Sequence, residues 1–217
     1  MHETLRRLHG GERGPGIVLD RFRLNAVVTQ LAFAGRRGRV YRQIIELSGV
    51  RPGDSVLDVG CSSGYLAWKM AAAAGPGGRV TGVDPSQAAI GYARQHASDA
   101  ITFTVGVAQE LPLPDASFDV VVSILAIHHV PARKRAAALA EMFRVTRPGG
   151  RLLIADINPA RPPLPLHPAA TRTRRAAATV GPLEELATPA GYQIESTGTL
   201  PLLRYIVAVR SPEPATP

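Results

Sequence analysis

The residues of this chain that can do chemistry stand at the ends of short apolar runs. Asp58 lies in Ser55-Val-Leu-Asp-Val-Gly-Cys-Ser-Ser-Gly64, where a strand-like stretch breaks into a turn carrying Gly60 and Gly64. A strand that turns tightly into a helix presents backbone N–H groups to an anionic or nucleotide-like ligand. The two glycines supply the bend and let a ligand approach the backbone. The spacing is not the Gly-x-Gly-x-x-Gly of dinucleotide folds, so a second residue has to decide how the turn is read. That residue is Asp84, which closes the run Arg79–Val83 about twenty residues past the turn. A carboxylate so placed can take the two hydroxyls of a ribose. His128 and His129 follow the apolar run around Val120–Ile127, and Asp156 ends a further one. An imidazole titrates near neutrality and suits the removal of a proton from an attacking group.

The elements that position these residues read as follows. Residues 1–16 are rich in Gly and Arg and predict a frayed tail. Leu24, Val27, Val28 and Leu31 fall at i, i+3, i+4 and i+7, which predicts an amphipathic helix over 20–33. Val40, Ile44, Ile45 and Leu47 predict a second helix ending at Ser48-Gly49, and Arg51-Pro-Gly-Asp54 is the turn into the first strand. Further strands are expected near 79–83, 101–105, 118–126 and 151–157, with helices near 64–74, 86–97 and 132–146. Strict alternation of apolar strands with helices predicts an α/β fold, a parallel sheet covered on both faces. Pro148-Gly149-Gly150 is expected to break the last of these helices before strand five. A Pro-rich passage follows Ile157. A helix around Leu183–Ala190 ends at Gly191, and Gln193–Thr199 and Leu203–Arg210 read as two terminal strands.

These residues resemble the class I S-adenosylmethionine-dependent methyltransferases. Asp58-Val-Gly60-Cys61-Ser62-Ser-Gly64 is similar to that family's first motif, and Val83-Asp84-Pro85-Ser86 to the acidic end of its second strand. Gly106 to Asp119 resembles the segment carrying the adenine contacts, and Arg144–Ile154 the helix, Pro-Gly-Gly and fifth strand. The likeness covers about residues 35–157. It implies a Rossmann-like doubly wound, mostly parallel sheet of seven strands with an antiparallel C-terminal hairpin strand, and S-adenosylmethionine as cofactor. It assigns Asp58 to the cofactor's amino-acid moiety, Asp84 to the ribose with Pro85 beside it, and Val107 and Ala108 to the adenine. Ser123 stands near the carbonyl that holds the methionine ammonium. Cys61 is a small buried filler. Ser62 replaces the family's usual Gly, and Val107 stands where an acidic residue is common. His128 and His129 are the catalytic candidates, with Asp156 an orienting or structural residue. The overall look is that of the small-molecule branch, which includes quinone-biosynthesis C-methyltransferases and natural-product O-methyltransferases.

At 217 residues the chain suits a single domain with a sizeable core. The expected division is a tail (1–16), a domain over 17–210 and a second tail (211–217). Within the domain come a helical cap (20–50), a core (51–157), a Pro- and Arg-rich insert (158–181), and a C-terminal helix and hairpin (182–210). One cysteine excludes a disulfide framework and a Cys-rich metal site, so no metal is expected. No apolar run reaches transmembrane length and the N-terminus lacks a signal-peptide core; a cytoplasmic protein without a membrane partner is the expectation, as a monomer or homodimer. The net charge of +8 is carried by 23 Arg against 2 Lys. Residues 1–40 hold +5 and residues 158–183 hold +4, while the remainder carries −1. The excess therefore lies outside the nucleotide-binding core. It points to a small acceptor with a carboxylate or phosphate, held by Arg from 21–39 or 161–175. RNA methylation would also use such charge, but residues 1–21 and 158–191 contain no Phe, Tyr or Trp on which a base could stack, so nucleic acid is not the expected partner. A non-catalytic S-adenosylmethionine-binding protein is the other alternative.

Overall fold

Apolar, often β-branched residues run with little interruption through the central strands, so both faces of their sheet require cover. The computed structural model, which describes residues 36–160 and 175–212, supplies it. In chain order the elements are α1 (Arg37–Ser48), β1 (Ser55–Val59), α2 (Tyr65–Ala74), β2 (Arg79–Asp84), α3 (Gln87–Gln95), β3 (Ile101–Val105) and β4 (Phe118–Ile124). There follow α4 (Arg135–Val145), β5 (Thr146–Ile157), α5 (Leu183–Ala187), β6 (Tyr192–Leu200) and β7 (Leu203–Arg210). The strands form one seven-stranded sheet in the order β3-β2-β1-β4-β5-β7-β6. The first five are mutually parallel, and β7 runs antiparallel to both β5 and β6. This is the Rossmann-like, doubly wound sheet with a C-terminal hairpin.

Because side chains alternate along a strand, each strand feeds two cores. Val56, Val80, Val120, Val122 and Leu153 pack under Val40, Ile44, Leu66, Met70 and Ile90 of α1, α2 and α3. Leu57, Val121, Leu152 and Ile154 pack on the other face under Leu139, Met142 and Leu183 of α4 and α5. The chain reverses its direction of travel across the sheet between β1 and β4, which is where a parallel sheet of this kind opens a crevice at its carboxyl end.

Several boundaries differ from the sequence-based expectation; the helix expected over Leu183–Ala190, for one, is α5 followed by a 3-10 turn at Thr188–Ala190. β4 ends at Ile124, not 126: Leu125 takes a left-handed conformation (φ 57) while its N–H donates to the Ala155 carbonyl at 2.8 Å. β5 begins at Thr146, directly after α4, and Pro148-Gly149-Gly150 lies within it. There the pairing shifts from Phe118↔Thr146 to Val120↔Arg151, so the Pro-Gly-Gly makes a bulge and does not end a helix. The helix expected over 132–146 is a 3-10 turn (Ala132–Lys134) followed by α4. The expected helix over 20–33 and residues 161–174 lie outside the described residues.

Close packing of the β1 and β4 ends depends on Gly60. It has φ 82, and an added Cβ would stand 2.4 Å from that of Ala126. Gly60→Ala is expected to cost at least about 2 kcal/mol of unfolding free energy in a denaturant titration, since it combines a left-handed backbone with a steric overlap.

Candidate active site

The carboxyl ends of β1, β2 and β4 enclose a cavity of about 740 Å³, within the range of small-ligand sites. Its floor is the turn after β1. Gly60 N–H and Cys61 N–H both donate to the Val83 carbonyl of β2, at 2.8 and 3.1 Å. Ser62 then takes φ 49, and its N–H reaches Asp84 Oδ2 at 2.9 Å. A left-handed conformation costs a non-glycine residue roughly 1–2 kcal/mol, and here it is held by this charge-assisted hydrogen bond. The Ser at this position therefore keeps the glycine-like turn. Gly64 (φ 86) caps α2 and has no room for a side chain, because a Cβ would stand 2.6 Å from the Phe103 ring.

Asp84 ends β2 with both carboxylate oxygens engaged, Oδ2 by Ser62 N–H and Oδ1 by Ser86 N–H at 2.9 Å. Each oxygen keeps a further lone pair, so the group is fixed in orientation yet still able to accept from a ligand hydroxyl. Pro85 follows it on the cavity wall. Asp58 is only 2% exposed. Its Oδ2 is buried without a hydrogen-bond partner. Burial, reinforced by the charge of Asp84, pushes its carboxyl up to about 7. A buried carboxylate left half unsatisfied is a group prepared for a cationic partner. Cys61 is buried, and burial together with Asp58 and Asp84 raises its thiol far above the ordinary range. It is inert packing and not a nucleophile.

Val107, Ala108 and Gln109, which follow β3, line the cavity, with Val107 bridged to Glu110 in a short turn. Ser123 is fully buried in β4 and its hydroxyl donates to the Val59 carbonyl at 3.0 Å, joining the β1 and β4 ends.

The two histidines part company. His129 lines the cavity mouth, whereas His128 is buried and is not part of the wall. His128 Nδ1 lies 2.6 Å from Asp156 Oδ1, and its backbone N–H donates to Asp156 Oδ2 at 2.9 Å. Asp156 Oδ1 also accepts from Ile157 N–H at 2.7 Å. Facing a carboxylate, Nδ1 carries a proton, and Nε2 is buried without a partner. The rings of His128 and His129 lie 4.0 Å apart. Desolvation by burial, and next the charge of His128, hold His129 below the usual histidine range, so at neutral pH it is uncharged.

The sequence reading did not single out Tyr41 and Tyr65 as part of the cavity wall. Arg37 and Tyr41 of α1 and Tyr65 of α2 line the cavity. The available signal was the i, i+4 spacing of Arg37 and Tyr41, which places them on one helix face. Of the Arg residues expected to meet an acceptor, Arg37 is on this wall, Arg175 is exposed, and Arg161, Arg172 and Arg174 lie outside the described residues. Among the described residues no group of acidic, His and Cys side chains could hold a metal ion, and no helix is long and apolar enough to cross a membrane.

A switch-point cavity with an acidic residue at the end of each of two adjacent parallel strands defines a nucleoside-binding α/β domain. Comparison with known proteins narrows the class. Residues 56–150 match the family model described as "Methyltransferase domain". The chain is 36% identical over 136 residues to a demethylmenaquinone methyltransferase of Symbiobacterium thermophilum, covering 60% of this chain and 53% of the relative. It is 38% identical over 130 residues to a 27-O-demethylrifamycin SV methyltransferase of Amycolatopsis mediterranei, covering 58% and 46%. The chain thus spans about half the length of these curated relatives. In fold it is similar to a TehB-like methyltransferase of Corynebacterium glutamicum, with a TM-score of 0.67 at 19% identity, covering 91% of this chain and all of the other (100%). Over residues 56–150 the chain is thus similar to a methyltransferase domain, and its fold is that of solved S-adenosylmethionine-dependent methyltransferases.

Asp58 makes a pH prediction whose sign is fixed. Its folded pKa of about 7 is raised above the ordinary 3.8, so its contribution to stability is intact below about pH 4 and is lost as pH rises through 7. Asp58→Asn removes that titration. Without ligand, the stability of the variant relative to wild type is expected to rise by on the order of 3 kcal/mol between pH 4 and pH 8, read from denaturant midpoints. A pH-independent difference would show that the carboxyl is not desolvated.

Proposed function

We propose that this protein transfers a methyl group from S-adenosylmethionine to a small organic acceptor carrying an acidic group, in the cytoplasm, as a monomer or homodimer. The observation that carries the reading is the pair of acidic side chains on one switch-point cavity, Asp84 oriented by two backbone N–H groups and Asp58 buried with an oxygen free. The residues present fit the cofactor. Asp84 is placed for the ribose hydroxyls, Val107 and Ala108 for the adenine, and Asp58 for the ammonium of the methionine end. Gly60, Ser62 and Gly64 keep the turn close to where the chain of that moiety would run.

The cofactor supplies an electrophilic methyl on a sulfonium, so the protein's share is mainly alignment and exclusion of water. Where the acceptor is a hydroxyl or amine that loses a proton as it attacks, His129 on the wall is neutral at pH 7 and can take it. His128, locked by Asp156, packs against the His129 ring and fixes its place at the rim. Support for a small acceptor comes from the relatives, named as quinone-biosynthesis and natural-product methyltransferases. The Arg37 cation on the wall supports the acidic character.

The test is calorimetry with S-adenosylhomocysteine. Micromolar binding is expected for the wild type, weakened at least about 100-fold in Asp84→Ala through loss of two charge-assisted hydrogen bonds. Equal affinity in the two proteins would remove the ribose assignment. Release of S-adenosylhomocysteine during incubation with acidic aromatic and quinone-like acceptors separates an enzyme from a protein that only binds the cofactor.

A further inference from the structure

Among the described residues the sheet has two open edges, β3 and β6. An edge strand offers unpaired N–H and C=O groups to any other strand, and proteins blunt it with bulges, charges or prolines. β6 carries two such devices: its pairing with β7 shifts between Ile194 and Ser196, and the charged Glu195 stands at the shift. β3 carries neither. Its register with β2 runs unbroken from Ile101 to Val105, and its sequence, Ile-Thr-Phe-Thr-Val, holds no charge, proline or glycine. Val105 at its end is a large apolar side chain left exposed. A short, uncharged run of β-branched and aromatic residues is the kind that pairs readily with a copy of itself.

The hydrogen bonding fixes which groups β3 has to offer. In a parallel pair, successive residues of a strand point their N–H and C=O alternately toward and away from the neighbour. Val80 N–H donates to the Ala100 carbonyl at 2.9 Å, so Thr102 and Thr104 also face β2, while Ile101, Phe103 and Val105 face outward. The Ile101 N–H is taken by the Ser98 carbonyl at 2.9 Å. Phe103 is the middle of the outward row. Were a second copy to run antiparallel along this edge about a two-fold axis, the two Phe103 residues would exchange N–H and C=O bonds at the centre. Each Val105 N–H would then meet the Ile101 carbonyl of the other copy, and Thr102 would lie beside Thr104.

Arg94 occupies that centre. From the last turn of α3 its Nε and Nη2 both donate to the Phe103 carbonyl, at 2.9 and 2.8 Å. The fork falls on one main-chain oxygen although the side chain is exposed, and among the described residues no carboxylate forms an ion pair with it. A cation at a helix C-terminus ordinarily turns to the carbonyls of its own helix. This one reaches across to the acceptor on which a two-fold edge pairing depends. We propose that Arg94 is a guard residue that keeps the β3 edge from pairing with the β3 edge of a second copy of this chain.

The experiment is sedimentation velocity over a range of protein concentrations, with amide hydrogen exchange as a second readout. The proteins are wild type, Arg94→Ala, Arg94→Met and the double variant Arg94→Ala/Val105→Pro. A single paired edge buries little area, so the association is weak and shows as a mass that rises with concentration. In Arg94→Ala and Arg94→Met the mass is expected to rise toward about twice the wild-type value. The Phe103 and Val105 amides are expected to exchange at least about tenfold more slowly at high than at low concentration. Val105→Pro removes an outward N–H and leaves the bonds to β2 in place, so the double variant is expected to return to the wild-type mass with unchanged circular dichroism. Either single variant, folded by circular dichroism and of wild-type mass at every concentration, overturns the proposal. So does association that survives Val105→Pro, because it would use another surface. A wild type whose own Phe103 amide slows with concentration also overturns it, since the edge would then pair with Arg94 in place.

Discussion

The structure hangs on the way the carboxyl end of β2 holds the turn after β1. The Val83 carbonyl accepts two successive N–H groups, from Gly60 and Cys61, and the adjacent Asp84 carboxylate accepts the next, from Ser62. Three consecutive backbone donors are thereby directed into one strand end, which forces the chain through left-handed conformations at Gly60, Ser62 and Gly64 before α2 can begin. The same Asp84 takes the Ser86 N–H, while the Ser86 hydroxyl caps α3 by accepting from Ala89 N–H. A single carboxylate thus fixes the entry to one helix and the turn that precedes another. Its own orientation is set before any ligand arrives, which reduces what ligand binding must order.

Strain and electrostatic imbalance concentrate around that constraint. Ser62 and Leu125, two of the four non-glycine residues at positive φ among the described residues, both line the cavity. Asp58 sits in the interior beneath them with its titration displaced to about 7. Other buried side chains each have at least one partner: Thr146 with Tyr192 at 2.7 Å, Arg135 with the carbonyl and hydroxyl of Thr179, and His128 through Nδ1 with Asp156. The contrast matters because an unpaired buried charge is costly in a fold whose net stability is only a few kcal/mol. The protein keeps it where a ligand can balance it.

Much of the sheet was legible in advance because alternation of apolar runs with helical periodicity is a local property. The bounds of β1, β2, β3 and β7 and the placing of Asp58 and Asp84 at strand ends follow from it closely. The Pro-Gly-Gly reading failed for a physical reason. Pro148 lacks an N–H, and Gly149 adopts φ 78, so both look like a helix stop. In place, β4 pairs on either side of them and absorbs the irregularity as a bulge. His128 and His129 also looked alike by sequence. Only the position of Asp156, brought alongside from β5, draws one ring inside and leaves the other at the rim.

By itself the sequence determined the order and type of most elements and the two strand-end carboxylates, since these depend on residue type and on spacing within one or two elements, while the cofactor followed from resemblance to a family. Tertiary structure alone decided which groups share a cavity and which remain unpaired. Arg37, Tyr41 and Tyr65 come from two helices separated by a strand, and Asp58 meets them only because α1 and α2 pack on the same face of the sheet. Whether a charge has a partner depends on every element that packs around it, and no window along the chain contains that information.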